Sequence, residues 1–400
     1  MTETDALRQA DMFAALKRGA RIAFAATALM LAACQSMVPR GPGPVGPAEP
    51  VPTGPEVTQG LPTDAMRHRV ALLVPMSGPN AGVGQSIANA TTLALLDTKA
   101  DRVRITTYDT GMGAAAAVNR ALAEGNRLIL GPLLAEDARI VGPIAAKANV
   151  PVISFSNDVS VAGNGVYIMG YNPNQSIERV VEFAKGKGLS KFAGLVPKGV
   201  YGERSGTALL RSVEQAGGTV VSMQTFDRSP ASMTAAVKKL QASSSYDALL
   251  IADSGRVALQ LAPIVRKNGG AKARLLGTEL WNTDNALASS PVLRGAWFAS
   301  VSDGLYGQLA SKYRARYGSA PFRLSALGYD AVLLTVRIAR DWRPGTTFPA
   351  ARLRDPGGFS GIDGAFRFGR SGVAERALEV SEVGPGSYTV VAAAPKAFGE

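Results

Sequence analysis

Short apolar runs alternate with longer amphipathic stretches from about Arg69 onward. The apolar runs predict buried strands at Arg69–Pro75, Val103–Asp109, Arg127–Leu130, Pro151–Phe155, Phe192–Pro197, Thr219–Thr225, Tyr246–Ala252 and Arg274–Gly277. The stretches between them predict helices at Ala88–Lys99, Ala114–Glu124, Ala135–Ala148, Gln175–Lys187, Gly202–Ala216, Ser232–Gln241 and Arg256–Asn268. Because strands and helices alternate with short connections, the sequence predicts an α/β fold with parallel sheets covered by helices on both faces.

The last hundred residues have a different pattern. Two helices are predicted, at Leu305–Tyr317 and Ser325–Asp341. Short strands are predicted at Phe359–Phe368 and Ala377–Val383 around the hairpin signal Gly369–Gly372, with a final strand at Tyr388–Ala393.

Two runs of strands and helices indicate two lobes. We expect crossovers near residues 170–175, 298–304 and 342–347. Lobe 1 then comprises about 68–172 plus 303–342, and lobe 2 about 173–299 plus 345–395. A ligand site is expected at the carboxyl ends of the strands.

The amino-terminal residues have the pattern of an export signal. Basic residues from Lys17 to Arg21 precede the apolar run Ile22–Met30, which is too short to span a bilayer. The following Leu31–Cys34 resembles a bacterial lipobox. This resemblance implies a lipoprotein signal peptide over 1–33, with either Met1 or Met12 as the start, and lipidation of Cys34. Multiple acyl chains would anchor the protein stably to a membrane.

A proline-rich segment follows the cysteine. Residues 39–62 contain eight prolines and five glycines, which prevent a helix or a strand ladder. We expect 34–66 to be an extended tether, with a reach of up to ~75 Å for about 25 residues. Gln35 follows Cys34 where an aspartate would favour retention in the inner membrane, so the predicted location is the periplasmic face of the outer membrane.

Charge and rare residues exclude several functions. The formal net charge is +12, which indicates a basic surface or attraction to anionic partners such as cell-wall polymer, lipid headgroups or an acidic protein face. Basic runs interleaved with aromatic residues are absent, which argues against nucleic-acid binding. With only Cys34 and His68, neither an intramolecular disulfide nor a Cys/His metal cluster is expected. Phosphate-loop, dinucleotide and nucleophile-elbow motifs are also absent, so no cofactor is predicted.

An ordered series of motifs carries a family resemblance. Val70–Leu96 contains an apolar strand, Ser-Gly-Pro, a glycine-containing loop and a long helix. Tyr108-Asp109, Gly131–Leu134, Pro151–Ser154 and Tyr201–Glu203 follow in order. This series resembles the type I periplasmic-binding, or leucine-binding-like, superfamily over about 68–395. The resemblance implies two Rossmann-like lobes around a hinge of three crossovers, and binding rather than catalysis.

Two branches of that superfamily compete. One contains the branched-chain amino-acid binding proteins that serve an ABC permease. The other contains the penicillin-binding-protein activators, lipoproteins that contact a peptidoglycan synthase. The segments Gly131–Leu134, Val196-Pro197, Tyr201-Gly202 and Gly217–Val220 resemble the activator branch better.

The expected cleft residues also bear on this choice. Amino-acid binders place hydroxyl groups where this chain has Ala135–Asp137, and a similar donor where it has Ser156–Asp158. The acids Glu136 and Asp158 would repel a substrate carboxylate, by ~1 kcal/mol at 4 Å in water and ~4 at intermediate dielectric. An enzyme remains possible only if Glu136, Asp137 and Asp158 converge as a catalytic pair.

Other residues still allow a small-molecule ligand. Ser77 could donate to an anion, and Tyr201 could form a wall with a polar tip. Glu279 matches the position where amino-acid binders carry an acid that pairs with the ammonium group. The alternatives for these three are a capping serine, a packed tyrosine and a solvated acid. Trp281 is either a packing residue or an interface anchor.

Overall fold

Lobe 1 is built around a five-stranded parallel sheet. The computed structural model describes residues 66–398 except 243–244, 284 and 397. Strand order is β2-β1-β3-β4-β5, with β1 at His68–Val74, β2 at Val103–Asp109, β3 at Leu128–Leu130, β4 at Val152–Ser154 and β5 at Val166–Ile168. The associated helices are α1 at Ala81–Thr98, α2 at Ala114–Ala123, α3 at Ala135–Lys147, α8 at Tyr306–Tyr317 and α9 at Ser325–Ala339.

Lobe 2 is built around a seven-stranded mixed sheet of order β15-β14-β10-β9-β8-β6-β7. Its parallel strands are β6 at Lys191–Pro197, β7 at Thr219–Phe226, β8 at Ala248–Ile251, β9 at Arg274–Gly277 and β10 at Trp297–Ser300. The antiparallel strands β14, Glu379–Val383, and β15, Tyr388–Ala392, complete it. Its helices are α4 at Pro173–Gly186, α5 at Val200–Gln215, α6 at Pro230–Gln241 and α7 at Gly255–Lys267.

Side-chain alternation along the strands explains the layers of both lobes. On β1, Val70, Leu72 and Val74 share a core with α1 and α9, whereas Ala71 and Leu73 share a core with α2 and α3. The central strands of lobe 2 likewise face α4 and α5 on one side and α6 and α7 on the other. A strand buried on both faces is continuously apolar, so the prediction of an α/β fold with two lobes is confirmed.

Two glycines let a helix begin directly on a strand end. A Cβ on Gly84 would overlap the carbonyl oxygen of Pro75, and a Cβ on Gly202 would overlap that of Pro197. These close approaches explain why α1 begins at Ala81, seven residues before the predicted start at Ala88. The low helix propensity of glycine predicts a loop at these positions. In the structure each glycine instead lies within a helix and lets the helix backbone contact the preceding strand end.

The carboxyl-terminal boundary differs from the expected one. Residues 345–395 were expected in lobe 2, but a three-stranded sheet, β11 at Phe359–Gly361, β12 at Gly364–Phe368 and β13 at Ala374–Arg376, packs on lobe 1. Phe359, Phe366 and Phe368 join the core of β1 and α9. The chain therefore crosses to lobe 2 for the last time at 377–378, after the Gly369–Gly372 hairpin, and not at 342–347.

No helix in the described part of the chain has the length and apolarity needed to cross a membrane. The predicted signal peptide, Cys34 and almost all of the predicted tether lie outside the described residues.

Candidate functional site

A cavity of about 420 Å³ lies between the two lobes. Leu133 and Leu134 follow β3 and Phe155 follows β4, so the carboxyl ends of the lobe 1 strands form one wall. The opposite wall contains Ser176, Glu279 and other residues of lobe 2, and the crossover segments form the base. The remaining lining residues are Asn80, Val83, Asn157, Tyr171, Asn172, Gln175, Leu280, Asn282, Ser300, Val301, Arg323, Leu324, Arg376 and Leu378.

Glu279 belongs to a polar cluster on the lobe 2 wall. Ser176 Oγ donates to its carboxylate at 2.5 Å, and the Tyr201 hydroxyl donates at 3.1 Å. That hydroxyl also lies 2.9 Å from Thr278 Oγ1. Burial raises the pKa of Glu279. The hydrogen bonds from Ser176 and Tyr201 lower this pKa, but they offset only part of the effect of burial. Glu279 is therefore held by protein donors rather than solvated, and Tyr201 is one of those donors.

Trp281 packs beside this cluster. Its side chain is fully buried, and its indole N–H donates to the Asp253 carbonyl at 3.1 Å. A Cβ on Gly277 would overlap the Trp281 ring. Of the two alternatives raised by the sequence, the packing residue is correct and the interface anchor is wrong.

A buried charge cluster at the base of the cavity was missed by sequence reasoning. Arg323 Nη1 lies 2.7 Å from Asp363 Oδ1, and the Tyr171 hydroxyl donates to Asp363 Oδ2 at 2.5 Å. Arg376 Nη2 donates to the Met169 carbonyl at 2.6 Å, and its guanidinium lies over the Tyr171 ring, 5.1 Å from the centroid. Because these residues come from three distant segments, no local motif marks them.

Asp158 makes a salt-bridge network across the two lobes. Arg139 on α3 lies 2.6 Å from one carboxylate oxygen, and Arg204 on α5 of lobe 2 lies 2.5 Å from the other. Burial alone would raise the pKa of Asp158, but hydrogen bonds from Ser160 and the charge of Arg204 hold it below its ordinary value. The three side chains line a second cavity of about 300 Å³.

Glu136 lines this second cavity, with Asp158 and Tyr201, and does not line the main one. The expectation that Glu136 and Asp158 would repel a carboxylate in the main cavity is therefore wrong, because both lie outside it and Asp158 is neutralised by two arginines. The main cavity instead presents Leu133, Leu134 and Asn157 at this wall. Donors for a carboxylate are found elsewhere in its lining, among them Asn282, Arg323 and Arg376.

Ser77 and Asp137 also lie away from the main cavity. Ser77 does not line the main cavity; it contributes hydrogen bonds to Asp109. Burial would raise the pKa of Asp109, but these bonds and one from the Met76 N–H hold it below its ordinary value. Asp137 lines neither cavity, so Glu136, Asp137 and Asp158 do not converge on a shared substrate.

His68 lies at the opposite end of lobe 1. It is buried at the start of β1 and stacks on Trp342 with ring centroids 4.0 Å apart. Burial lowers its pKa. Within the part of the chain that the structure describes, no group of three His, Cys, Asp or Glu side chains is placed to hold a metal ion.

Two lobes of this topology, joined by three crossovers around a cavity, define a two-lobed binding protein. A family model described as periplasmic binding protein matches residues 68–387, so the chain belongs to this family of solute-binding and regulatory proteins.

Individual relatives are distant. An uncharacterized Rickettsia prowazekii protein, RP748, is 22% identical over 227 residues, 54% of this chain and 61% of that protein. A putative branched-chain amino acid ABC transporter from Rhodospirillum rubrum has a TM-score of 0.71 at 20% identity, covering 81% of this chain and 100% of that one. The LpoA C-domain from Haemophilus influenzae, a regulator of PBP1A, has a TM-score of 0.65 at 19% identity, covering 81% and 99%. These structural matches establish the fold.

Proposed function

We propose that this protein is a non-enzymatic envelope lipoprotein that binds a peptidoglycan synthase of the penicillin-binding class and stimulates it. In this proposal Cys34 carries the lipid anchor on the periplasmic face of the outer membrane. The residues after Cys34 serve as a tether that lets the folded lobes reach the synthase. The similarity to the LpoA C-domain, a regulator of PBP1A, supports this choice within the family.

The observation that carries the proposal is that Glu279, the acid of the main cavity suited to an ammonium group, is already engaged by donors of the protein itself. An α-amino acid needs donors for its carboxylate and a free acid for its ammonium group. Asn282 and Arg323 in the lining could donate to the carboxylate, but Glu279 is already hydrogen-bonded by Ser176 and Tyr201. The ammonium group of an amino acid would have to compete with Ser176 and Tyr201 for the Glu279 carboxylate, which lowers the affinity. Surface contact with a protein partner is therefore the function that we propose.

The contact between lobes supports the same conclusion. Asp158 and Arg204 connect the lobes through protein charges alone. The lobes can therefore offer one continuous face to a partner without a ligand that closes them.

A reconstituted synthase assay tests the proposal. The full chain with Cys34→Ser is added to the purified synthase with its lipid-linked substrate in detergent, and the rate of glycan polymerisation and cross-linking is measured. We expect co-purification and a severalfold increase in rate. An equal amount of an unrelated soluble protein is the control, and an unchanged rate without co-purification would refute the proposal.

A second candidate is a solute-binding lipoprotein that delivers a small molecule to an ABC permease. The cavity of about 420 Å³ favours it, because its size suits a small organic ligand. Titration calorimetry with leucine, isoleucine and valine separates the two candidates. We expect no heat of binding, whereas micromolar binding of any of the three would establish the second candidate.

A further inference from the structure

Eight basic residues lie around one end of lobe 1, away from the cavity. The amino-terminal ends of the parallel strands meet at this end, around the stacked rings of His68 and Trp342. We call the basic side chains around these rings the basal patch. It comprises Arg67, Arg69, Lys99, Arg102, Arg104, Arg127, Arg340 and Arg343.

Backbone contacts bring these residues together. The His68 N–H donates to the Arg102 carbonyl at 2.7 Å, and the Arg127 N–H donates to the Arg69 carbonyl at 2.9 Å. Arg69 and Arg104 are partners in the β1–β2 register. Arg340 and Arg343 flank Trp342 in the sequence. The charge of Arg102 is close enough to lower the pKa of His68, although burial has the larger effect.

The neighbouring acids offset only part of the charge of the patch. Asp101, Glu124 and Asp341 lie in the same region. Glu124 is paired with Arg120 at 2.8 Å, and Asp341 is paired with Arg352 at 3.2 Å. Asp341 is therefore occupied by an arginine outside the patch, whereas Glu124 also offsets the charge of Arg104. The exposed Lys99, Arg102, Arg127, Arg340 and Arg343 carry the remaining positive charge of the basal patch.

Helix termini do not account for this concentration. Basic side chains in the last turn of a helix offset its dipole, which explains Arg340 at the end of α9. Arg102, Arg127 and Arg343 lie in connecting segments outside the helices, and their side chains are exposed. Like charges gathered in this way repel one another and favour an anionic counterpart.

We propose that the basal patch docks on the anionic lipid headgroups of the membrane leaflet that holds the protein's own anchor. The inference rests on the lipid anchor of the proposed function. The chain enters the described fold at Met66, beside the patch, and Cys34 lies only 32 residues earlier in the sequence (66 − 34). The anchor thus keeps the patch within reach of one membrane surface. Each basic residue near an anionic leaflet adds about 1 kcal/mol of attraction.

This docking defines an orientation of the lobes. The lobe 1 strands run from the basal patch to the cavity wall at Leu133, Leu134 and Phe155. With the patch on the membrane, lobe 2 is the part of the body farthest from the lipid. Lobe 2 is then presented to partners in the periplasm.

Vesicle co-sedimentation tests the inference. The full chain with Cys34→Ser, which removes any acyl chain, is mixed with phosphatidylcholine vesicles or with vesicles containing about a third phosphatidylglycerol. We expect much tighter binding to the anionic vesicles, and loss of that preference when salt is raised from ~0.05 to ~0.5 M. Neutral vesicles measure any contribution of the apolar run Ile22–Met30.

Two triple variants separate the patch from total charge. Arg102→Gln, Arg127→Gln and Arg343→Gln together should weaken binding to anionic vesicles by ~100-fold, the scale expected for three basic side chains. The matched control changes three exposed basic residues of lobe 2, Arg211, Lys238 and Lys272, to Gln and should bind as the parent does.

Several outcomes would overturn the inference: equal binding to neutral and anionic vesicles, equal losses in both triple variants, or retention on isolated peptidoglycan sacculi without binding to vesicles. The synthase assay in detergent contains no vesicles, so it reports on the proposed function separately. The patch variant should still stimulate the synthase there.

Discussion

Asp330 is a buried acid in the apolar helix α9, where it fixes a turn of the three-stranded sheet. Its carboxylate accepts the Ile362 N–H at 2.6 Å and the Asp363 N–H at 3.4 Å. A Cβ on Gly361 would overlap this carboxylate, so only glycine permits the approach. This turn also places Asp363 against Arg323. Asp330 therefore connects the core of lobe 1 to the base of the cavity.

Burial, and then the nearby Asp363 charge, raise the pKa of Asp330 to about 7. The folded state thus holds a proton that the unfolded state releases near pH 4, so this residue makes the free energy of unfolding fall as pH rises from ~4 to ~7. Asp330→Asn should flatten that slope, a difference on the order of 4 kcal/mol between pH ~4 and ~7, in urea unfolding at a series of pH values. The exposed Asp341→Asn should keep the parental slope, and a parental slope in Asp330→Asn would contradict the assignment.

At this scale the sequence was only partly informative. Glu279 lines the main cavity, whereas Tyr201 lines the second cavity and reaches Glu279 through its hydroxyl. Of the other cleft candidates, Glu136 and Asp158 line only the second cavity and Ser77 lines neither, because a sequence position near a strand end does not give the direction of a side chain. Arg323, Asp363 and Arg376 were missed because their pairing depends on segments far apart in the chain.

At the scale of elements, the alternation of strands and helices was predictable from the sequence, whereas strand β5 and the placement of the three-stranded sheet β11–β13 were not. Strand β5, Val166–Ile168, has three residues after a glycine-containing turn, and such a run is too short to stand out. The sheet β11–β13 was assigned to lobe 2 because its order in the sequence follows the helices of lobe 1. Its phenylalanines settle the placement through packing, which hydrophobic periodicity alone does not reveal.

Asp158 forms salt bridges with Arg139 on α3 and with Arg204 on α5. The contact between the two lobes at this point, called the closed state below, therefore depends on charge. Arg204→Gln should remove the connection to lobe 2, while Arg139 still pairs with Asp158. We expect the closed state to lose roughly 1–2 kcal/mol, so the lobes open more often. Spin labels at Ala115→Cys on α2 and Ala235→Cys on α6, in the Cys34→Ser background, report the distance between lobes.

The distance distribution should become longer and broader in the Arg204→Gln variant. High salt should broaden the parental distribution and have little further effect on the variant. Arg211→Gln, on the same helix, is the matched control and should leave the distribution unchanged. A closed distribution in Arg204→Gln at low salt would show that other contacts hold the lobes.

At the scale of the whole molecule, the two lobes have separate cores although the chain crosses between them three times. Phe366 lies in the core that contains β1 and α9, whereas Phe298 lies in the core that contains α6 and α7. Both side chains are almost fully buried. A separate core can open without the other, so the late segment 359–376 should contribute to the stability of lobe 1 only.

Native-state hydrogen exchange on Phe366→Ala and Phe298→Ala tests this division. Removing a buried phenylalanine leaves a cavity that costs ~3–5 kcal/mol. Phe366→Ala should reduce the free energy of opening measured at the amides of β1 and β3 by that amount. The amides of β6 and β8 should keep nearly their parental protection. Phe298→Ala should do the reverse. If Phe366→Ala lowered amide protection equally in both sheets, the two lobes would unfold as a single cooperative unit. The lobes would then move apart only as rigid bodies, with both cores intact.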